Sequence, residues 1–111
     1  MAESTVKPEI LGKAIDLAGL AAYQGHSVVS REIIRKPSGT VSVFAFDEGE
    51  GLSEHTAAFD ALVYILDGKA DIFIDGKPHQ LSQGQMIIMP ADHPHALKAV
   101  TRFKMLLVLV K

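Results

Sequence analysis

Cysteine is absent from the 111 residues, and so is tryptophan. Without cysteine there is neither a disulfide framework nor a thiolate metal site. Aromatic residues make up only 6%, and the aliphatic share is high. Neither sign of charge dominates. Eleven Lys and Arg stand against thirteen Asp and Glu, for a net charge of −2. No basic stripe stands out, so a nucleic-acid partner is not expected. Long apolar runs are missing too. The longest, Met105 to Val110, is far too short to span a bilayer, and the opening MAESTVKPEI lacks the apolar centre of a signal peptide. These absences lead to the expectation of a soluble, cytoplasmic protein with no membrane partner.

What is present is a hydrophobic share of 48%, enough for a true core and too much for a disordered chain. The length supports one domain. Residues Met1 to Pro8 are polar and expected to be loose at the tip. Glu9 to Tyr23 carries a weakly helical piece with Ile15, Leu17 and Leu20 as its apolar positions, interrupted by Gly12 and Gly19. Residues 1–26 are therefore read as an N-terminal arm, partly helical, that packs on the domain or on a partner subunit.

From residue 27 to 111 the texture is that of strands. A β-branched run (Val28, Val29, Ile33, Ile34) ends at a Lys36-Pro37-Ser38-Gly39 turn. Thr40–Asp47 is apolar on both faces, which predicts cover on both sides. Ala61–Asp67 and Ala70–Asp75 follow, each closed by an Asp-Gly pair read as a hairpin turn. His79–Leu81, Met86–Met89, His95–Val100 and Phe103–Val110 complete the set. Short strands at regular spacing, with Gly or Pro at nearly every joint, predict an all-β sandwich or barrel.

Two stretches carry the chemistry. Gly49 to Gly68 (GEGLSEHTAAFDALVYILDG) delivers His55, and Gly84 to Leu97 (GQMIIMPADHPHAL) delivers His95. Side chains alternate along a strand, so His55, Ala57, Ala61, Val63 and Ile65 share one parity, and His95 shares a face with Leu97 and Ala99. This predicts two imidazoles in a pocket walled by Ala57, Ala61, Val63, Ile65 and Leu97. Neutral imidazole suits a range of divalent metals. His93 is a third candidate ligand, although a His-Pro-His run is more simply a turn. Asp60 has the wrong parity for the pocket unless the strand bulges there. Tyr64 should face away, His26 and His79 are read as exposed, and Met86, Met89 and Met105 as core.

The two stretches resemble the two signature motifs of the cupin superfamily. The first reads Gly49, five residues, His55-Thr56-Ala57, three residues, Ala61, six residues, Gly68. The second reads Gly84, five residues, Pro90-Ala91-Asp92, two residues, His95, three residues, Ala99. Every spacing fits, with fifteen residues between Gly68 and Gly84. The resemblance implies a double-stranded β-helix, or jelly-roll barrel, with a short N-terminal arm. It also implies a metal set of two histidines and a glutamate from the first motif and one histidine from the second. Here only His55 and His95 match. Ala57 and Ala61 stand at the other two positions, and the carboxylate that would offset a dication is lost.

The expected function is that of a cupin with an apolar pocket for a small molecule. It would take up a divalent metal (iron, nickel, manganese or zinc) weakly or substoichiometrically through the two histidines. The alternative is a metal-dependent dioxygenase or isomerase whose coordination is completed by water, His93 or Asp60; whether the chain is an enzyme stays open. A third possibility is a plain interaction module. Phe103–Val110 is apolar on both faces apart from Lys104, so its outer face needs cover, and a homodimer is expected.

Overall fold

The computed structural model describes residues 6–111. The expected loose tip, Met1 to Pro8, lies for its first five residues outside them. Among the described residues nine strands form: β1 (Val28–Lys36), β2 (Gly39–Phe46), β3 (Gly51–His55), β4 (Asp60–Asp67), β5 (Lys69–Ile74), β6 (Lys77–Ser82), β7 (Met86–Met89), β8 (His95–Ala99) and β9 (Phe103–Val110). They build a five-stranded sheet, ordered β1-β2-β9-β4-β7, and a four-stranded sheet, ordered β3-β8-β5-β6. All pairs are antiparallel. Among the described residues only the β1–β2 and β5–β6 connections stay within one sheet; the other six cross to the facing sheet. That alternation makes a jelly-roll barrel, the all-β architecture expected from the sequence.

Parity explains the core. The inward residues of β4 (Ala61, Val63, Ile65), of β5 (Ala70, Ile72) and of β8 (Leu97, Ala99) meet Phe46, Met89, Phe103 and Met105 in one buried cluster between the sheets. Each fully buried Ile or Phe contributes roughly 1.5–3 kcal/mol of transfer free energy. Phe46 and Phe103 are register partners and stack with centroids 4.5 Å apart; Phe44 stacks on Phe46 at 5.9 Å. These rings fill one end of the barrel. Leu107 and Leu109, further along β9, belong to the other end.

The opposite side of the large sheet is apolar as well. Ala21, Leu17, Leu20 and Tyr23 of the arm cover Val43, Ala45, Val29, Leu66 and Leu106 there. The arm is pinned by polar contacts: the Tyr23 hydroxyl donates to Asp67 Oδ2 at 2.6 Å, and Lys104 Nζ donates to the Ala18 carbonyl at 2.7 Å. The Arg102 guanidinium lies 4.3 Å over the Tyr23 ring. The two-sided cover read from β2 is thus present, and the arm packs on its own domain.

Four details differ from the sequence reading. The helical piece is a single 3-10 turn, Leu17–Leu20. β3 forms in a stretch where no strand was expected, because its pairing with β8 overrides a polar, glycine-containing sequence. Asp67-Gly68 is not a hairpin; it is the corner where the chain leaves one sheet for the other. Gly68 sits at φ +77, and a Cβ there would lie 2.1 Å from the Arg102 carbonyl oxygen. Met86 is 51% exposed, since it shares the outward parity of Tyr64, its partner across the β4–β7 pair.

Candidate functional site

The two histidines meet because they are register partners. β3 and β8 pair Leu52 with Leu97 and His55 with His95, so three steps along β3 match two along β8. The extra residue is a bulge. It cancels the alternation that would otherwise place Leu52 and His55 on opposite faces, and both reach the same chamber.

The imidazoles contact one another at the mouth. Their Nε2 atoms are 3.2 Å apart, and the rings meet nearly edge to face at 73°. His95 is buried at 4% exposure, whereas His55 is exposed at the rim. Each ring uses its other nitrogen on the backbone. His55 Nδ1 lies 2.8 Å from the Ser53 carbonyl, inside the bulge, and His95 Nδ1 lies 3.2 Å from the His93 carbonyl. A carbonyl oxygen only accepts, so a ring that engages it donates from Nδ1 and turns Nε2 toward the other histidine, where a hydrogen bond between the two Nε2 atoms needs the hydrogen on one of them. Desolvation, and then the neighbouring His55, hold the His95 pKa below its ordinary value.

Behind the pair is a cavity of about 100 Å³ lined by Leu52, His55, Ala57, Ala61, Met89, His95, Leu97, Met105, Leu107 and Leu109. Ala57, Ala61 and Leu97 are therefore where parity put them. Val63 and Ile65 share that face but are fully buried in the packed core and do not line the cavity. The sequence reading missed Leu52, Leu107 and Leu109, and took Met89 and Met105 for plain core; the bulge and the pairings of β4 with β9 and β7 bring them here. A larger cavity, about 380 Å³, lies by Lys7 and Ser30–Ile33 at the edge strand. It contains no histidine, and the histidine chamber is the candidate site.

The loop before β8 is held without a metal role for its polar groups. The Ala91 amide donates to Asp60 Oδ1 at 2.9 Å, and the Asp92 amide donates to the Ala57 carbonyl at 2.8 Å. Asp92 adopts φ 65, the left-handed conformation of the turn. His93 Nδ1 pairs with Asp75 Oδ2 at 2.9 Å on the half-exposed rim. The expectation that His93 or Asp60 completes a ligand set with His55 and His95 is thus not met. Among the described residues no three of His, Cys, Asp or Glu are grouped so as to hold a metal ion. The divalent ion implied by the two motifs does not fit this donor set: two imidazoles in an apolar chamber, with no carboxylate to offset two charges.

A jelly-roll barrel enclosing one small chamber, with its histidines on paired strands of one sheet, defines the class. The chain belongs to the cupin family: the Cupin domain family matches residues 42–110. A solved structure of a conserved protein of unknown function from Streptococcus pyogenes is 39% identical, with 90% of this chain and 88% of that one covered and a TM-score of 0.87. A Cupin 2 conserved barrel domain protein from Leptotrichia buccalis is 40% identical over 87% of this chain and 47% of its own, with a TM-score of 0.85. A cupin superfamily protein from Desulfitobacterium hafniense is 30% identical over 89% and 91%, with a TM-score of 0.84. More distant matches share the fold alone, among them a salicylate 1,2-dioxygenase from Pseudaminobacter salicylatoxidans (14% identity over 75% and 26%, TM-score 0.70). Comparison with curated proteins finds no match.

Proposed function

We propose that this cupin binds a small, largely apolar molecule carrying a hydrogen-bond donor, such as a phenol or a short alcohol, and that it works as a binding protein of the cytoplasm. The observation that carries this reading is the pair of imidazoles at the mouth of an otherwise apolar chamber. A hydroxyl placed there donates to an imidazole, while its hydrocarbon part contacts Leu52, Leu97 and Leu107. A volume of about 100 Å³ limits the ligand to about the size of one small ring. The reading of the chain as a metal-dependent dioxygenase or isomerase is favoured by no contact, since His93 and Asp60 are engaged elsewhere.

The test is a binding series of phenol, benzyl alcohol and toluene followed by NMR chemical shifts. Phenol is expected to bind about tenfold more tightly than toluene, the worth of one net hydrogen bond. Ala57→Leu, which narrows the chamber, should abolish binding without lowering the melting temperature. Equal affinities for phenol and toluene, or binding that survives Ala57→Leu, would reject the proposal.

We also propose that the chain forms a homodimer through the outer face of its large sheet. The arm covers one half of that face. The other half, with Ile34, Val41, Leu62, Tyr64, Ile88 and Val108 at outward register positions, is left without cover by the described residues. An antiparallel sheet face of this kind packs on a second copy of itself about a two-fold axis.

A further inference from the structure

We propose that the cavity of about 380 Å³ between Lys7 of the arm and the outer edge of β1 binds a small organic carboxylate. It shares no lining residue with the histidine chamber, so it stands apart from the binding of a phenol or alcohol there.

The backbone supplies the first donors. β1 closes the large sheet, and among the described residues no strand lies on its other side. The Asp47 amide donates to the Ser27 carbonyl at 3.1 Å. Bonded pairs alternate along an antiparallel ladder, so Val29 and Arg31 exchange hydrogen bonds with Ala45 and Val43, their register partners. The amides of Ser30 and Glu32 are left pointing away from β2, at two residues that line the cavity.

The charges decide the ligand. Arg31 lines the cavity, and its Nε is buried with no hydrogen-bond partner among the described residues. Such an unmade bond is costly, and more so on a charged group. The Arg31 Nη2 atom lies 3.8 Å from Glu9 Oε1, within ion-pair range but too far for a hydrogen bond. Glu32, the carboxylate in the lining, accepts from Arg35 with both oxygens, at 2.8 and 3.2 Å. The guanidinium fork is therefore underused, and its side chain keeps 32% of its surface open to solvent. A planar carboxylate matches one edge of that fork with two parallel hydrogen bonds. Lys7 adds a second positive charge, and Lys7, Arg31 and Arg35 outnumber Glu9 and Glu32 here, although the whole chain is at −2. The loose approach of Glu9 marks the kind of group the fork takes, at a distance that a free carboxylate improves on. The volume exceeds that of a bare ion, and Ile33 offers an apolar wall for a hydrocarbon part.

The test is titration of the isotope-labelled chain at low ionic strength, read by NMR at the backbone amides and at the arginine Nε–H groups. The probes are succinate, its uncharged analogue succinamide, and inorganic phosphate. Succinate should shift the Arg31 Nε–H and the Ser30 and Glu32 amides and leave the His55 and His95 amides unmoved. It should bind at least tenfold more tightly than succinamide and more tightly than phosphate. Arg31→Lys, which keeps the charge and loses the fork, should weaken succinate about tenfold, and Lys7→Ala should weaken it several-fold. Glu9→Gln should tighten it, because the competing carboxylate is gone. Thermal melting of each variant separates loss of the site from loss of the fold, and Lys7 and Glu9 are exposed, so their variants decide the matter if Arg31→Lys does not fold. Succinamide bound as well as succinate, or phosphate bound more tightly, overturns the proposal. Shifts spread over the surface lysines at large, or an affinity unchanged in the Lys7 and Glu9 variants, overturn it as well. Phenol, titrated alone, is read at the chamber residues, so either binding event can fail without the other.

Discussion

His95 is the residue where burial and chemistry meet. It is kept neutral in the folded chain by desolvation and by His55, so its pKa lies below the ordinary 6.5. The unfolded chain then takes up a proton first as pH falls. Stability from this source is fully present above pH 6.5 and is lost progressively as pH drops below it. The melting temperature should fall between pH 7 and pH 5, and His95→Gln should flatten that slope. An unchanged slope in the variant would mean that other groups carry it. Asp47 is also shifted, but downward from 3.8 by the amides of His26 and Glu48, so its contribution is lost in a separate, more acid window.

At the scale of elements, the corners are more demanding than the strands. Gly68 turns the chain from β4 into β5 at φ +77, against the Arg102 carbonyl, which is backbone and cannot swing aside. Gly68→Ala should therefore cost about 3 kcal/mol or more in chemical denaturation, from strain and overlap together. Gly76 has the same φ of +77 in the β5–β6 hairpin, with nothing within 4 Å of the place a methyl group would take. Gly76→Ala should cost only about 1–2 kcal/mol, the penalty of the left-handed backbone. Equal costs at the two positions would show that the close approach at Gly68 contributes nothing. Both glycines follow an aspartate and look alike in the sequence; the neighbour that separates them is 34 residues away from Gly68.

For the whole molecule, the outer face of the large sheet sets the behaviour. Its arm-covered half is held by Tyr23, Asp67 and Lys104. Ile88, on the uncovered half, is 50% exposed. Light scattering at micromolar concentration should give twice the chain mass. Ile88→Glu should shift the chain toward monomer by at least tenfold in dissociation constant while leaving the melting curve of the monomer near wild type, since a centrally placed charge in an apolar interface is left unpaired. A monomeric wild type would refute the dimer. Among the described residues no helix is long and apolar enough to cross a membrane.

Alternation and turn residues are local properties, and they determined a good deal. β2, β4 and β9 were legible because each is a short apolar run, rich in β-branched or aliphatic residues, bounded by turn residues. The frame of glycines and prolines that spaces His55 and His95 was legible because only such residues turn a barrel corner. Tyr64 could be placed outward, and Ala57, Ala61 and Leu97 at the pocket, by parity alone. What crosses between strands was not legible. β3 has no strand-like composition and exists through its pairing with β8. The bulge at Ser53 and Glu54 leaves no mark in the sequence, yet it puts Leu52 and His55 on one side and frees a carbonyl for the imidazole. Val63 and Ile65 have the pocket's parity, but only the depth of the barrel assigns them to packed core while Met89 and Met105 reach the chamber. The sequence by itself determined the barrel and the two histidines. Tertiary structure alone decided that their Nε2 atoms meet at 3.2 Å, because register and bulge are set by long-range pairing rather than by neighbours in the chain.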